Sequence, residues 1–155
     1  MTVLAWSEAL ALGHQEMDAA HEQFVALLNA VGAAEGEAIL PALDAFIAHT
    51  QAHFAQEEAW MEQYAFPRSG CHRTEHYNVL EVVKEVRVRV AEGATHYART
   101  VAEALAEWFA SHASSMDAML AIYMQHGADA LPECSHEGSD SCPNSGKHGA
   151  TESHA

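Results

Sequence analysis

The chain has 155 residues, with seven lysines and arginines against 22 aspartates and glutamates, twelve histidines and a formal net charge of −15 at pH 7. Nucleic-acid binding needs a basic patch and docking on anionic lipid needs a polybasic surface, so this composition argues against both functions. No apolar run approaches the roughly 20 residues that span a bilayer, and the N-terminus lacks the basic region of a signal peptide. We therefore expect one cytoplasmic domain, since domains commonly contain about 100–200 residues.

Helix-forming residues dominate positions 1–126, and helix breakers divide this stretch into four. Asp18, Ser69 and Thr95 are residues that cap helix N-termini, and each stands at a predicted start. Gly93 is a predicted stop. The short connections between long helices favour antiparallel neighbours, which predicts an all-α protein with an up-down-up-down four-helix bundle. The predicted helices span residues 18–31, 38–64, 69–92 and 95–126.

Two segments flank the predicted bundle. Residues 1–17, with Trp6 and Leu10, are expected to form an extended N-terminal arm packed on the bundle. The C-terminal stretch is rich in Gly, Ser and small polar residues and has only Leu131 as a large aliphatic side chain. It cannot bury enough apolar surface to offset the entropy of ordering the chain. The predicted domain limits are 1–127 for the bundle and 128–155 for a disordered C-terminal tail.

The cysteines give no sign of a disulfide framework. Their number is odd, and no two of them form a CxxC motif: Cys71, Cys134 and Cys142. This pattern is compatible with a reducing compartment such as the cytoplasm.

Each predicted helix carries side chains that can bind a metal ion. They are His21 on the first helix, His53 and Glu57 on the second, His72 and His76 on the third, and His112 and Asp117 on the fourth. Residues four apart lie on one face of a helix, so the pair on the second helix and the pair on the third helix can each reach one metal centre. Asp117 is five residues after His112, so it must reach sideways or the helix must be locally loosened. Imidazole and carboxylate are usual ligands of iron, zinc and manganese, so the four helices together predict a metal site.

The full pattern, H…HxxxE…HxxxH…HxxxxD, resembles the hemerythrin family, and within it the single-domain bacteriohemerythrins. The neighbouring sequence agrees, with MDAAH at 17–21, HFAQEEAWM at 53–61, YAFP at 64–67 and WFASH at 108–112. The resemblance covers about residues 6–123 and every candidate ligand position. It implies a non-haem pair of iron ions joined by an oxo or hydroxo bridge.

The resemblance also implies a role for each of the seven side chains. One iron would bind His72, His76 and His112, the other would bind His21 and His53, and Glu57 and Asp117 would bridge the two. Five imidazoles, two bridging carboxylates and one bridging oxygen fill all but one position of two octahedral ions. The open position lies on the iron with two histidines, where the family binds dioxygen reversibly.

Four further positions match residues that line a dry oxygen pocket in the family, although each also suits an ordinary core. They are Phe54, Trp108, Phe109 and Ala113. The family usually carries a larger aliphatic residue in place of Ala113, which predicts a more open pocket. Ala20 stands where Gln or Glu is common, so His21 is expected to lack a partner that orients its ring.

The implied function is reversible binding of dioxygen for oxygen storage, transport or sensing, with an unidentified protein partner or reductant left open. A di-iron enzyme is an alternative and the less favoured one. It would be a peroxidase, an oxidase or a protein that handles nitric oxide. An iron-handling protein is another alternative. Manganese and zinc also accept these ligands, so the assignment of iron rests on the resemblance.

Overall fold

The computed structural model describes residues 2–131, and the structural statements below refer to this part of the chain. Five helices follow one another: α1 (Gln15–Ala33), α2 (Ile39–Gln63), α3 (Ser69–Ala91), α4 (His96–His112) and α5 (Ala118–His126). A π-helical turn, Ala113–Asp117, joins α4 to α5, so these two elements form one long helix. Helix α1 packs on α2 and α4, and α3 packs on the same two helices. The predicted all-α four-helix bundle is therefore confirmed.

The start of α1 differs from the prediction. His14 occupies the N-cap position, and its Nδ1 atom accepts a hydrogen bond from the amide of Met17 at 3.1 Å. Asp18 instead accepts hydrogen bonds from the amides of Leu12 and Gly13 at 2.7 and 3.1 Å. The prediction that Asp18 caps the helix was wrong, because a short carboxylate bonds loop amides as readily as those of a first helical turn.

The predicted third and fourth helices, 69–92 and 95–126, agree within one residue at each end with α3 and with the continuous helix from His96 to His126. Arg68, and not Ser69, stands at the N-cap position of α3. Thr95 is at the N-cap position of α4 but its side chain makes no capping bond. Gly93 has a φ of 105°, a conformation that favours glycine, and it follows Glu92, the C-cap residue of α3. The tight connection between the antiparallel helices depends on this residue.

The core consists of two apolar clusters with a polar layer between them. Members of the larger cluster include Phe24, Leu28, Leu43, Phe46, Val83, Ala102 and Phe109. The smaller cluster is formed by Met17, Met61, Phe66, Leu120 and Ala121. Along α1, His21 lies between Met17 and Phe24, so one helix face passes from the smaller cluster through a histidine to the larger one. This arrangement places the candidate metal ligands away from both ends of the bundle.

The predicted N-terminal arm is present, although residues 15–17 belong to α1. Asn29 holds the arm: its Oδ1 atom accepts hydrogen bonds from the amides of Val3 and Leu4 at 2.8 and 3.1 Å, and its Nδ2 atom donates to the carbonyl of Leu4 at 2.7 Å. Trp6 and Leu10 pack against the larger apolar cluster. The arm therefore covers one side of the core.

Most of the predicted C-terminal tail, residues 132–155, lies outside the described residues. At its beginning, Ala128–Ala130 forms a 3-10 turn and Leu131 packs against the smaller apolar cluster. Cys71 is disulfide-bonded. The cysteine pattern gave no sign of a disulfide framework, and an odd count still permits one pair. None of the helices in the described region combines the length and apolar character needed to cross a membrane.

Candidate metal centre

The seven side chains singled out from the sequence meet in the polar layer of the bundle, which we call the histidine–carboxylate layer. None is more than 6% exposed. Their ligand-type atoms form two groups, each with all its atoms within 4.8 Å of one another. One group contains Glu57, His72, His76, His112 and Asp117, and the other contains His21, His53 and Glu57. The structure therefore brings together every predicted ligand, with a division into three and two histidines.

Glu57 faces both groups of histidines. Its Oε1 atom is 3.3 Å from Nε2 of His21 and 2.7 Å from Nε2 of His53. Its Oε2 atom is 3.3 Å from Nε2 of His72 and 3.1 Å from Nε2 of His76. Each carboxylate oxygen is thus directed at a different group, as in a carboxylate that bridges two ions.

Asp117 repeats this division from the opposite side of the bundle. Its Oδ2 atom is 3.1 Å from Nε2 of His21. Its Oδ1 atom is 2.9 Å from Nε2 of His72 and 3.1 Å from Nε2 of His112. Both carboxylates therefore connect the same two groups.

The π-helical turn brings Asp117 into this position. The amide of Ala118 donates to the carbonyl of Ala113, five residues earlier, instead of four as in an α-helix. The wider turn places Asp117 on the same face as His112 despite their spacing of five. Of the two alternatives that the sequence left open, the locally loosened helix is the correct one.

The polar atoms of the layer fit a metal ion better than they fit one another. In the described structure, Nε2 of His72, His76 and His112, Oε2 of Glu57 and Oδ1 of Asp117 are buried without a hydrogen-bond partner. Leaving such a group unpaired costs about 1–3 kcal/mol. Two ligand atoms bound at right angles to one ion at about 2.1 Å lie about 3 Å apart. The observed separations of 2.9–3.3 Å between these atoms agree with that value.

The charges of the layer are strongly coupled. Burial by itself would raise the pKa of Glu57, but contacts with His21 and the neighbouring histidines hold that pKa well below its usual range. Burial and the Glu57 charge likewise oppose ionisation of Asp117, yet His112 and His21 hold its pKa far below normal. Burial lowers the pKa of His21 and of His112, but contacts with Asp117 and other carboxylates raise these two values to about 9 and about 10. Without metal, the layer therefore holds the carboxylate anions of Glu57 and Asp117 beside the protonated rings of His21 and His112.

Comparison with known proteins places these features in a family. The family described as Hemerythrin HHE cation binding domain matches residues 12–121, which include all seven side chains. This chain belongs to the hemerythrin family. A bacteriohemerythrin of Ralstonia nicotianae is 50% identical over 134 residues, which cover 86% of this chain and 98% of that protein. A bacteriohemerythrin of Pseudomonas paraeruginosa is 28% identical over 142 residues, covering 89% and 92% of the two chains. One of Stenotrophomonas maltophilia is 29% identical over 97 residues, covering 60% and 63%.

Family membership and the buried donor set together identify a metal site in the bundle. The site of this hemerythrin is enclosed by aromatic side chains. Phe54 and Phe109 are buried, Trp108 is half-buried, and Ala113 is 1% exposed at the start of the π-helical turn. The three aromatic residues each pack on a histidine of the layer: Phe54 stacks on His76 at 3.8 Å between ring centroids, Trp108 stacks on His112 at 4.4 Å, and Phe109 meets the ring of His21 edge-on at 5.1 Å.

Sequence reasoning missed the side chains around the ligands of this hemerythrin site. Glu75 lies beside the ring of His112, with Oε2 2.6 Å from Nδ1. The sequence offered one signal for this role, the position of Glu75 directly before His76 in HRTEH. Glu75 nevertheless contacts His112, which lies 37 positions away in the sequence. His49, whose role the sequence did not explain, donates from Nε2 to the carbonyl of Ala20 at 3.0 Å.

The expectation about His21 agrees with the structure. Its Nδ1 atom is buried and has no hydrogen-bond partner within residues 2–131. Ala20, which precedes it, has no side-chain group that could serve as one. Besides the contacts of its Nε2 atom with Glu57 and Asp117, the ring of His21 is therefore held by packing, including the edge-on contact with Phe109.

Proposed function

We propose that this protein binds dioxygen reversibly at two iron ions held in the histidine–carboxylate layer, and that it stores, carries or senses oxygen. The observation that carries the proposal is the pair of buried carboxylates, each facing two groups of histidines. In each carboxylate, one oxygen faces the histidines of one group and the other oxygen faces those of the second group. Two adjacent ions bridged by both carboxylates require this arrangement. Membership of the hemerythrin family and the similarity to proteins called bacteriohemerythrins add support.

The proposed ligand sets follow the two groups of atoms. One ion would be held by His72, His76 and His112 and the other by His21 and His53, with Glu57 and Asp117 as bridges. The iron pair, when bound, supplies the electrons for reversible oxygen binding. The chain supplies neutral imidazoles and two carboxylate charges, which offset part of the charge of the two cations. With one imidazole fewer, the side of His21 and His53 has room for a small ligand.

The aromatic side chains around the layer would keep this ligand site dry. Phe54, Trp108, Phe109 and Ala113 form apolar walls against the histidines. Exclusion of water strengthens the electrostatic interactions inside a site and prevents side reactions with protons. These walls would therefore limit the access of protons and anions to the site.

The direct test combines metal analysis with visible spectroscopy in air. We expect about two irons per chain, the absorption of an oxygen-bridged diferric centre after oxidation, and recovery of the deoxygenated spectrum of the reduced protein on degassing. Protein that is produced with ample iron and still contains none would refute the proposal. Sustained turnover of peroxide with a reductant, without reversible oxygen binding, would instead favour the di-iron enzyme.

Substitution of single ligands provides an independent prediction. His53→Ala and Asp117→Ala should each lower the iron-to-protein ratio, because each removes a donor from the layer and leaves partners unpaired. His49→Ala is the matched control, since His49 is one turn from His53 and half-buried but lies in neither group of ligand atoms. The control should retain the iron content of the unmodified protein. Full iron content in both ligand variants would contradict the assignment.

A further inference from the structure

Glu75 contacts the histidine–carboxylate layer from outside. Its Oε2 atom is 2.6 Å from Nδ1 of His112, while Nε2 of the same ring faces Asp117. The side chain of Glu75 is 24% exposed, whereas that of His112 is 1% exposed. A charged group at the edge of solvent is thus bonded to a buried imidazole of the layer.

This contact fixes which ring nitrogen of His112 carries a hydrogen. An ionised carboxylate only accepts hydrogen bonds, so Nδ1 must be the donor, and Nε2 of the neutral ring then presents a lone pair. That nitrogen is 3.1 Å from Oδ1 of Asp117, and neither atom has a hydrogen-bond partner in the described structure. Two facing lone pairs repel unless a cation lies between them. The tautomer that Glu75 selects is therefore the one that can bind a metal ion.

The other four histidines of the layer lack such a partner. Nδ1 of His21, His53, His72 and His76 is buried without a hydrogen bond in the described part of the chain. The nearest comparable group is Glu58, whose Oε1 atom is 3.5 Å from Nδ1 of His76, beyond the normal range of a hydrogen bond. His112 is therefore distinguished from the other histidines by its bonded carboxylate.

Trp108 holds this arrangement from a second direction. Its ring lies nearly parallel to that of His112, with an interplanar angle of 22° and centroids 4.4 Å apart. Ring stacking restricts tilting of His112, and the contact with Glu75 restricts its rotation.

We propose that Glu75 is a positioning residue of the metal centre, which orients His112 and sets its tautomer so that the three-histidine group holds its metal more tightly than the two-histidine group does. The inference rests on the ligand sets of the proposed function. A carboxylate that accepts from a metal-bound histidine also makes the imidazole a stronger donor. We expect the metal beside His21 and His53 to be lost first.

The first test measures release of ferrous iron to a chelator without oxygen. The unmodified protein should lose iron in two phases, and Glu75→Ala should accelerate the slower phase about 10–100-fold, the usual effect of removing such a partner. Glu75→Gln should be intermediate, because its amide oxygen accepts a hydrogen bond but carries no charge. Glu81→Gln is the control for charge on the same helix, since Glu81 is 52% exposed and pairs with Lys84, and it should behave as the unmodified protein.

The second test observes the hydrogen bond itself in the zinc-loaded protein, which is diamagnetic. By nuclear magnetic resonance, the Nδ1–H of His112 should be shifted downfield and protected from exchange, and this signal should vanish in Glu75→Ala. A purely structural role would lower the thermal stability of the metal-free variant without this pattern. Unchanged iron release together with an unchanged resonance in Glu75→Ala would overturn the proposal.

The two proposals can fail separately. If the protein does not bind oxygen but zinc-loaded Glu75→Ala loses the His112 signal, the positioning role stands and the oxygen function falls. If Glu75→Ala binds oxygen and releases iron as the unmodified protein does, the oxygen function stands and the positioning role falls.

Discussion

Burial opposes the charged forms of four side chains in the histidine–carboxylate layer, and contacts with oppositely charged neighbours outweigh this effect: Glu57, Asp117, His21 and His112. At His76, in contrast, burial prevails and lowers the pKa. Removing an ion from water costs several kcal/mol even in a relaxed protein interior. The carboxylates of Glu57 and Asp117 nevertheless have depressed pKa values because of the surrounding histidines, and the pKa values of His21 and His112 are raised to about 9 and about 10 by the carboxylates. Protons thus occupy, in the metal-free layer, positions that metal ions would take.

This balance predicts that metal binding releases protons. With pKa values of about 9 and 10, His21 and His112 are protonated in the metal-free protein at pH 7. Since a metal ion needs the unprotonated ring, binding should release about two protons per chain from these residues, and the apparent affinity should fall as the pH falls. The number of protons released on metal binding should decline as the pH rises through 9 and 10.

Calorimetric titration with Zn²⁺ in buffers of different ionisation enthalpy measures this release. Titrations at pH 7 and pH 8.5 provide the comparison, with the smaller number expected at the higher pH. The absence of net release at pH 7 would show that the histidines of the layer are already neutral before metal binds.

The π-helical turn allows the two parts of one long helix, α4 and α5, each to turn its own buried face toward the core. Phe109 and His112 set the rotation of α4, and Leu120 and Ala121, at most 1% exposed, set that of α5. A regular α-helix advances about 100° per residue, so one additional residue between these positions would turn either Asp117 or the apolar face of α5 away from the core. The wider turn absorbs the additional residue without disturbing either side.

Moving the carboxylate of Asp117 to the more usual spacing of four residues after His112 should therefore not preserve metal binding. In the double variant Met116→Asp and Asp117→Ala, the carboxylate stands four residues after His112. To face the layer it would need a regular turn, which rotates Leu120 out of the core at a cost of about 1.5–3 kcal/mol. We expect an iron-to-protein ratio as low as that of Asp117→Ala. Met116→Ala is the control and should retain iron. Restored iron in the double variant would show that the helix can change its register.

On the scale of the whole molecule, the bundle surrounds one polar layer with two apolar clusters. All four sides of the bundle contribute side chains to the layer, so no helix can be displaced without removing a ligand. The burial of the layer depends on both clusters, and Leu131 belongs to the contacts of the smaller one. We propose that the packed domain includes Leu131 and therefore extends beyond residue 127.

Truncation distinguishes these limits. With a reductant present because Cys71 is disulfide-bonded, a chain of residues 1–131 should match the full chain in iron content and in the free energy of unfolding. A chain of residues 1–127 loses the contact of the half-buried Leu131 and should be less stable by about 1 kcal/mol. Denaturant unfolding and metal analysis provide the measurements. Loss of iron from the 1–131 chain would instead point to the iron-handling alternative, with metal binding dependent on the segment removed.

Much of this protein could be predicted from the sequence because the informative patterns are local. The spacing of four within His53–Glu57 and His72–His76 follows from the helical period alone, and so does the sharing of one face. Glycine and proline mark the connections, and short connections between long helices favour antiparallel neighbours. The bundle and the meeting of the seven side chains were therefore predictable.

Only the tertiary structure decided how these helices are rotated against one another. It selected the π-helical turn for Asp117, directed the carboxylate of Asp18 at the loop amides of Leu12 and Gly13 instead of a helix cap, and brought Glu75 to His112 across 37 positions of sequence. Such choices depend on which side chains of neighbouring helices pack together, and no local period encodes that packing. The amino-acid sequence by itself thus determined the helices and the kind of site they carry. The packed bundle determined which carboxylate supports which ligand.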